Sequence, residues 1–160
     1  MAYRIATALA AAGTVLLAAA FTTGPTAASA AAYHSSPAAA SATVSLAAVS
    51  GIPGEVLVGS KLHTLYLFEA DTNGISTCTG ACATVWPPDT VTGAPSAGSG
   101  VNQALLGTVT RSDGTTQVTY NHHPLYYFAG DTSAGTANGQ GLTSFGAAWF
   151  VVNASGNAVS

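Results

Sequence analysis

The chain has 160 residues, of which only 6% are charged: three Lys/Arg against six Asp/Glu, for a formal net charge of −3. So few cations cannot neutralise a run of phosphates, which excludes nucleic-acid binding and electrostatic docking to anionic lipid. The surface must instead be a coat of Thr, Ser, Asn, Gln and Gly, with few groups left for acid–base chemistry.

Residues 1–30 read as a secretory signal peptide: Arg4 supplies the charge, residues 5–21 the apolar run, and Ala28-Ser29-Ala30 the small residues of a cleavage site. The run is short and Ala-rich for a spanning helix, so no membrane span is expected once it is removed. The exported remainder keeps two cations, Lys61 and Arg111, against six acids, a net charge of −4. Residues 31–42, an Ala/Ser run with no periodicity, form a flexible leader, and order is expected from Thr43 in one domain spanning 43–160.

Strands are expected at 44–49 and 55–59, separated by the turn Gly51-Ile52-Pro53-Gly54. Residues 62–68 alternate, with Leu62, Thr64, Tyr66 and Phe68 on one face. Asp71-Thr72-Asn73-Gly74 ends that strand with turn chemistry. A long loop then carries Cys78, Cys82, Trp86, Pro87 and Pro88, and paired prolines exclude a central strand there. A Gly/Ser/Ala/Pro linker at 93–100 precedes a short helical turn at 101–106 capped by Ser99. The hairpin 106–111/115–120 turns at Ser112-Asp113-Gly114, and 125–128 and 148–152 are the last strands. No stretch sustains a helical period, so the fold class is all-β.

Sliding the chain by sixty residues lays 54–72 on 114–132 with eight identities in nineteen positions. They are Gly54/Gly114, Val58/Val118, His63/His123, Leu65/Leu125, Tyr66/Tyr126, Phe68/Phe128, Asp71/Asp131 and Thr72/Thr132. A shift of sixty-three brings Trp86 onto Trp149. Neither half can bury an apolar face alone, so the two should pack with approximate two-fold symmetry as a β-sandwich or a barrel-like closure. Tyr66-Leu67-Phe68-Glu69-Ala70-Asp71 and Tyr126-Tyr127-Phe128-Ala129-Gly130-Asp131, with Cys78 to Cys82 leading to Trp86-Pro87-Pro88, resemble the bacterial secreted repeat of unknown function. That family is described as predicted lipoproteins with a Tyr-x-aromatic-x-x-Asp motif. The resemblance covers about residues 54–153 and implies little about activity. This chain lacks the lipid-acceptor Cys of the lipoprotein members.

Cys78 and Cys82 are the only cysteines, and in an exported protein the even count points to a disulfide. A thiolate metal site or redox pair is the alternative, against which the three-residue spacing speaks. His63 and His123 are repeat mates that symmetry could bring together, and with His122 they are candidate ligands for Cu(II), Zn(II) or a haem iron. Against that, adjacent strand residues face opposite ways, and solvated imidazoles serve as well. Asp71 and Asp131 are either paired acid–base carboxylates, a poorly matched calcium loop, or caps that accept backbone N–H groups after each strand. Tyr66, Phe68, Tyr126 and Phe128 belong to the core by alternation, whereas Tyr127 points the other way and is the expected exposed contact. No nucleophile elbow, His-Glu-x-x-His or phosphate loop is present.

The expectation is therefore a secreted, non-enzymatic binding or structural module of the cell envelope, with no cofactor. Its partner would be an envelope protein, a glycan or a small ligand. The alternative is a metal- or haem-binding extracellular protein that uses the repeat-related histidines.

Overall fold

A computed structural model describes residues 43–160. The expected signal peptide and leader lie outside the described residues. The first hairpin pairs β1 (Ser45–Ala48) with β2 (Glu55–Val58), Leu46 opposite Leu57. β3 (Tyr66–Phe68) follows, then a five-residue helix α1 (Ala81–Val85). The second hairpin joins β4 (Leu106–Thr110) to β5 (Thr116–Tyr120), and β6 (His123–Pro124) continues that sheet. The chain ends in β7 (Thr143–Ser144) and β8 (Ala147–Val151). Three antiparallel sheets result, ordered β1-β2, β3-β8-β7 and β4-β5-β6.

The halves meet at an antiparallel bridge between repeat mates. Tyr66 N–H donates to Tyr126 O (2.8 Å) and Tyr126 N–H donates to Tyr66 O (2.9 Å), so a pseudo-dyad passes between them. Neighbouring backbone contacts recur in pairs. Glu69 N–H bonds Ala148 O as Ala129 N–H bonds Val85 O, and Val151 opposes Tyr66 as Pro88 opposes Tyr126. The Trp86-Pro87-Pro88 segment thus occupies the place of β8. Leu57 N–H to Val152 O matches Val118 N–H to Asp89 O, so β2 corresponds to β5 with an offset of sixty-one, not sixty. The first repeat has one extra residue in the following turn, and the ungapped identities Gly54/Gly114 and Val58/Val118 are not structural equivalents.

Alternation along β3 divides the interior. Tyr66 and Phe68 face one core with Val56, Val58, Trp86, Tyr126 and Trp149, whereas Leu65 and Leu67 face a second with Leu57, Val118, Tyr120, Leu125 and Val152. β3 is therefore a central strand covered by an apolar layer on each face. In the first core, Phe68, Trp149, Trp86 and Phe128 form one stack with successive centroids 4.0, 4.0 and 4.4 Å apart. Tyr66 and Tyr126 meet Trp86 and Trp149 edge-on at 5.4 and 5.2 Å, the favourable quadrupole arrangement.

Two local expectations change. The turn at 103–105 is a 3-10 turn capped by Asn102, whose side chain accepts from Ala104 N–H (3.0 Å), in place of the expected Ser99 cap. The strand expected from Leu62 begins at Tyr66, because Lys61 and Leu62 take left-handed φ of 57° and 60° to turn the chain. Leu62 is 54% exposed there, off the face assigned to it.

Candidate functional site

The repeated motif residues are brought together crosswise. Tyr66 Oη donates to Asp131 Oδ2 (2.5 Å) and Tyr126 Oη donates to Asp71 Oδ2 (2.5 Å), so each tyrosine is held by the other repeat's aspartate. The second oxygens cap the loops. Asp71 Oδ1 accepts from Thr77 N–H (2.7 Å) and Thr77 Oγ1 (2.6 Å), and Asp131 Oδ1 accepts from Asn138 N–H (2.8 Å). All four side chains are buried. Burial first, then the hydrogen bond to the carboxylate, pushes both tyrosine hydroxyls far above their ordinary range. The capping role expected of the aspartates is present, and a lock between repeats is added to it.

Around Asp71 the lock extends. Ser76 Oγ lies 2.7 Å from Tyr126 Oη, and Arg111 Nη1 donates to Ser76 Oγ. The single proton of Tyr126 goes to Asp71, so Ser76 donates to Tyr126. A one-way chain therefore runs from the guanidinium through two hydroxyls to the carboxylate, each bond polarising the next. Arg111 is also held by Gln117 Oε1 (2.7 Å) and Cys78 O (2.6 Å). Sequence reasoning missed Arg111, which stands beside Asp113 in a hairpin turn but is only 5% exposed.

A disulfide joins Cys78 and Cys82 across a 5.2 Å Cα separation. Both cysteines are buried at the first core, where Trp86 N–H closes the helix on Cys82 O.

Tyr127 is not the exposed contact expected of it. It is half-buried, donating to Asp89 Oδ1 (2.9 Å) and accepting from Ser60 N–H (3.1 Å). Desolvation pushes the Asp89 carboxyl up to about 6 against the opposing Tyr127 bond, and pushes Tyr127 to about 12. Asp89 Oδ2 is buried with no hydrogen-bond partner.

The histidines are sorted by the dyad. An antiparallel pairing centred on Tyr66/Tyr126 sends His63 and His123 three residues in opposite directions, about 20 Å apart for extended chain. The closeness expected of the repeat mates is therefore not produced. His123 lies instead beside His122 and Asp71, at the wall of a polar cleft of about 460 Å³ with Asn73, Gly74 and Asn121. Burial lowers the His123 pKa first and the neighbouring His122 charge lowers it further, with Asp71 opposing. No group of three or more His, Cys, Asp or Glu is placed to hold a metal ion among the described residues. No helix among them is long and apolar enough to cross a membrane.

No curated protein and no solved structure matches this chain. Residues 47–89 and 107–153 match the family described as Secreted repeat of unknown function, and these two segments coincide with the two dyad-related halves. Together they cover more than half of the sequence, and the chain belongs to that family of secreted repeats.

Proposed function

We propose that this domain is a non-catalytic binding module of the cell envelope or its exterior, in which the duplicated motif serves cohesion and the divergent surface serves recognition. The observation that carries the reading is the crossed Tyr–Asp exchange. All four carboxylate oxygens of Asp71 and Asp131 accept hydrogen bonds from the protein, and both side chains are buried. A general acid or base must be free to take up or give the proton it moves, and carboxylates committed to the fold on every oxygen favour cohesion over catalysis.

The test combines turnover with capture. The purified chain is screened against soluble glycans, alongside Asp71→Asn and Asp131→Asn, while covalent capture on intact cells reports envelope partners. The reading expects no turnover, a lower melting temperature in both variants, and a captured partner. Glycan cleavage that disappears in Asp131→Asn with the melting temperature unchanged would overturn it.

A further inference from the structure

Duplication provides an internal control for function. Positions that hold the core and the lock stay identical in both halves, as Tyr66/Tyr126, Phe68/Phe128 and Asp71/Asp131 do. The cleft at the Asp71 end joins the shared Asp71 and His123 to four positions that have diverged. Asn73, Gly74, Asn121 and His122 stand where the other half has Ser133, Ala134, Lys61 and Leu62. A second depression, of about 430 Å³, shares Asp71 and His123 with the first and adds Glu69 and Asn157 over a floor of Leu67 and Phe68. Each volume falls within the range of about 300–1,000 Å³ typical of small-molecule sites.

Backbone strain gathers at the same place. Asn73, Asn121 and His122 hold φ of 55°, 47° and 66°, three of the six non-glycine left-handed residues among the described ones. Asn enters this region readily, so the strain falls on His122, at about 1–2 kcal/mol, and Lys61 and Leu62 repeat the turn in the other half; strain of this kind collects at functional sites.

The chemistry of the lining selects the ligand. Asp71 has every oxygen engaged by the protein, which leaves too few free ligands for a metal. No Lys or Arg lines either depression, so an anion finds no countercharge. The apolar floor is nearly covered, with Leu67 and Phe68 each 3% exposed, so an apolar ligand finds little to bury. What remains available are the Asn73, Asn121 and Asn157 amides and two imidazoles, groups that both donate and accept, with the Glu69 carboxylate confined to the second depression. That set matches a ligand of hydroxyls and amides without charge.

Resting on the binding-module reading, we propose that the His122–His123 cleft binds a neutral saccharide, the Asn73, Asn121 and His122 side chains pairing with its hydroxyl or acetamido groups. The experiment is an amide-resolved NMR titration of the exported chain with chitotriose and with cellotriose. It is repeated on the Asn73→Gly/His122→Gly double variant, because glycine keeps the left-handed turns while removing the polar groups. Saturable shifts confined to 71–74 and 121–123 with either sugar are expected, weakened about tenfold or more, about 1.4 kcal/mol of binding, in a variant that melts no lower than the wild type. No saturable shift at millimolar sugar, shifts elsewhere on the surface, or undiminished binding by the variant would overturn the proposal. Stoichiometric Zn(II) or Cu(II) uptake that abolishes the sugar shifts would equally reassign the cleft to metal. A wild-type chain that binds neither sugar yet still captures a partner on cells would sink this site and leave the module reading standing.

Discussion

The two ends of the pseudo-dyad carry the same lock fastened by different means. At one end, Tyr66 and Asp131 are completed by backbone alone, with Gly139 N–H donating to Tyr66 Oη (3.3 Å). A Cβ on Gly139 would stand 2.7 Å from Trp86, so only glycine brings its amide that close. The loop beyond is pinned by Gln140, which accepts from Val151 N–H (2.8 Å). At the other end, Tyr126 and Asp71 are completed by Ser76 and a buried arginine, and the loop beyond is closed by the disulfide. The lesson is that duplication preserved the exchange itself, while each copy found its own way to hold the loop.

Removing Arg111 should break the second end most severely. Arg111→Met leaves Asp71 without the distant cation of its chain, and Gln117 Oε1 and Cys78 O without their donor. Stranding buried acceptors costs about 1–3 kcal/mol each. Urea unfolding should show that loss, with Arg111→Lys intermediate because it keeps the charge but not the fork. A loss below about 1 kcal/mol would mean that the lock stands on the hydroxyls alone.

Arg111 also marks the limit of what sequence could show. Recurrence of Tyr, Phe and Asp was legible because those types are uncommon and their spacing is strict, and alternation correctly sent Tyr66 and Phe68 inward. The crossing was not legible, since a sixty-residue period is the same whether mates lie side by side or head to head about a dyad. The extra residue in the turn before Thr64 hid the true partner of β2. Arg111 and Tyr127 were obscured by neighbours: a cation beside Asp113 in a hairpin resembles a solvated pair, and an alternating Tyr resembles a surface one. Only the three-dimensional placement of Ser76, Gln117 and Asp89 gives these side chains their partners.

A second contrast between the ends is ionic. Asp89 and Tyr127 occupy the places held in the other half by Val152 and Leu67, so one end buries a polar pair where its mate buries two aliphatic groups. The folded pKa of Asp89 lies near 6, above its ordinary value near 4. A raised carboxyl contributes stability that is complete below about pH 4 and lost as pH rises through about 6. Two units correspond to about 3 kcal/mol. Stability measured from pH 4 to pH 8 should therefore fall more steeply for the wild type than for Asp89→Asn, and parallel curves would remove Asp89 as the cause.

The locks themselves can be weighed against each other. Tyr66→Phe strands a buried Asp131 oxygen and the Gly139 amide, a penalty of about 2–3 kcal/mol. Tyr126→Phe should cost less, because Ser76 Oγ, already 2.7 Å from the lost hydroxyl, can turn toward Asp71. Equal penalties would show that the Ser76–Arg111 chain does not compensate. Reducing the Cys78–Cys82 bond releases a five-residue loop, worth about 2 kcal/mol in the chain-entropy model. That loss should be independent of Tyr66→Phe, which sits at the other end, and coupled to Arg111→Met, since Arg111 holds the carbonyl of Cys78.

The smallest effect discriminates between a shared turn and a divergent site. Leu62 and His122 are mates, both left-handed, at φ of 60° and 66°. Replacement by glycine relieves about 1–2 kcal/mol of strain and costs about 0.5–1 kcal/mol in the added freedom of the unfolded chain. Each variant should therefore gain about 0.5–1 kcal/mol, read as a small rise in melting temperature. If the strain belongs to the turn both halves inherited, the two gains will be equal, and only His122→Gly will disturb the cleft. If Leu62→Gly gains and His122→Gly loses, the imidazole makes a contact that outweighs its strain, and the cleft at the Asp71 end contributes to the fold as well as to recognition.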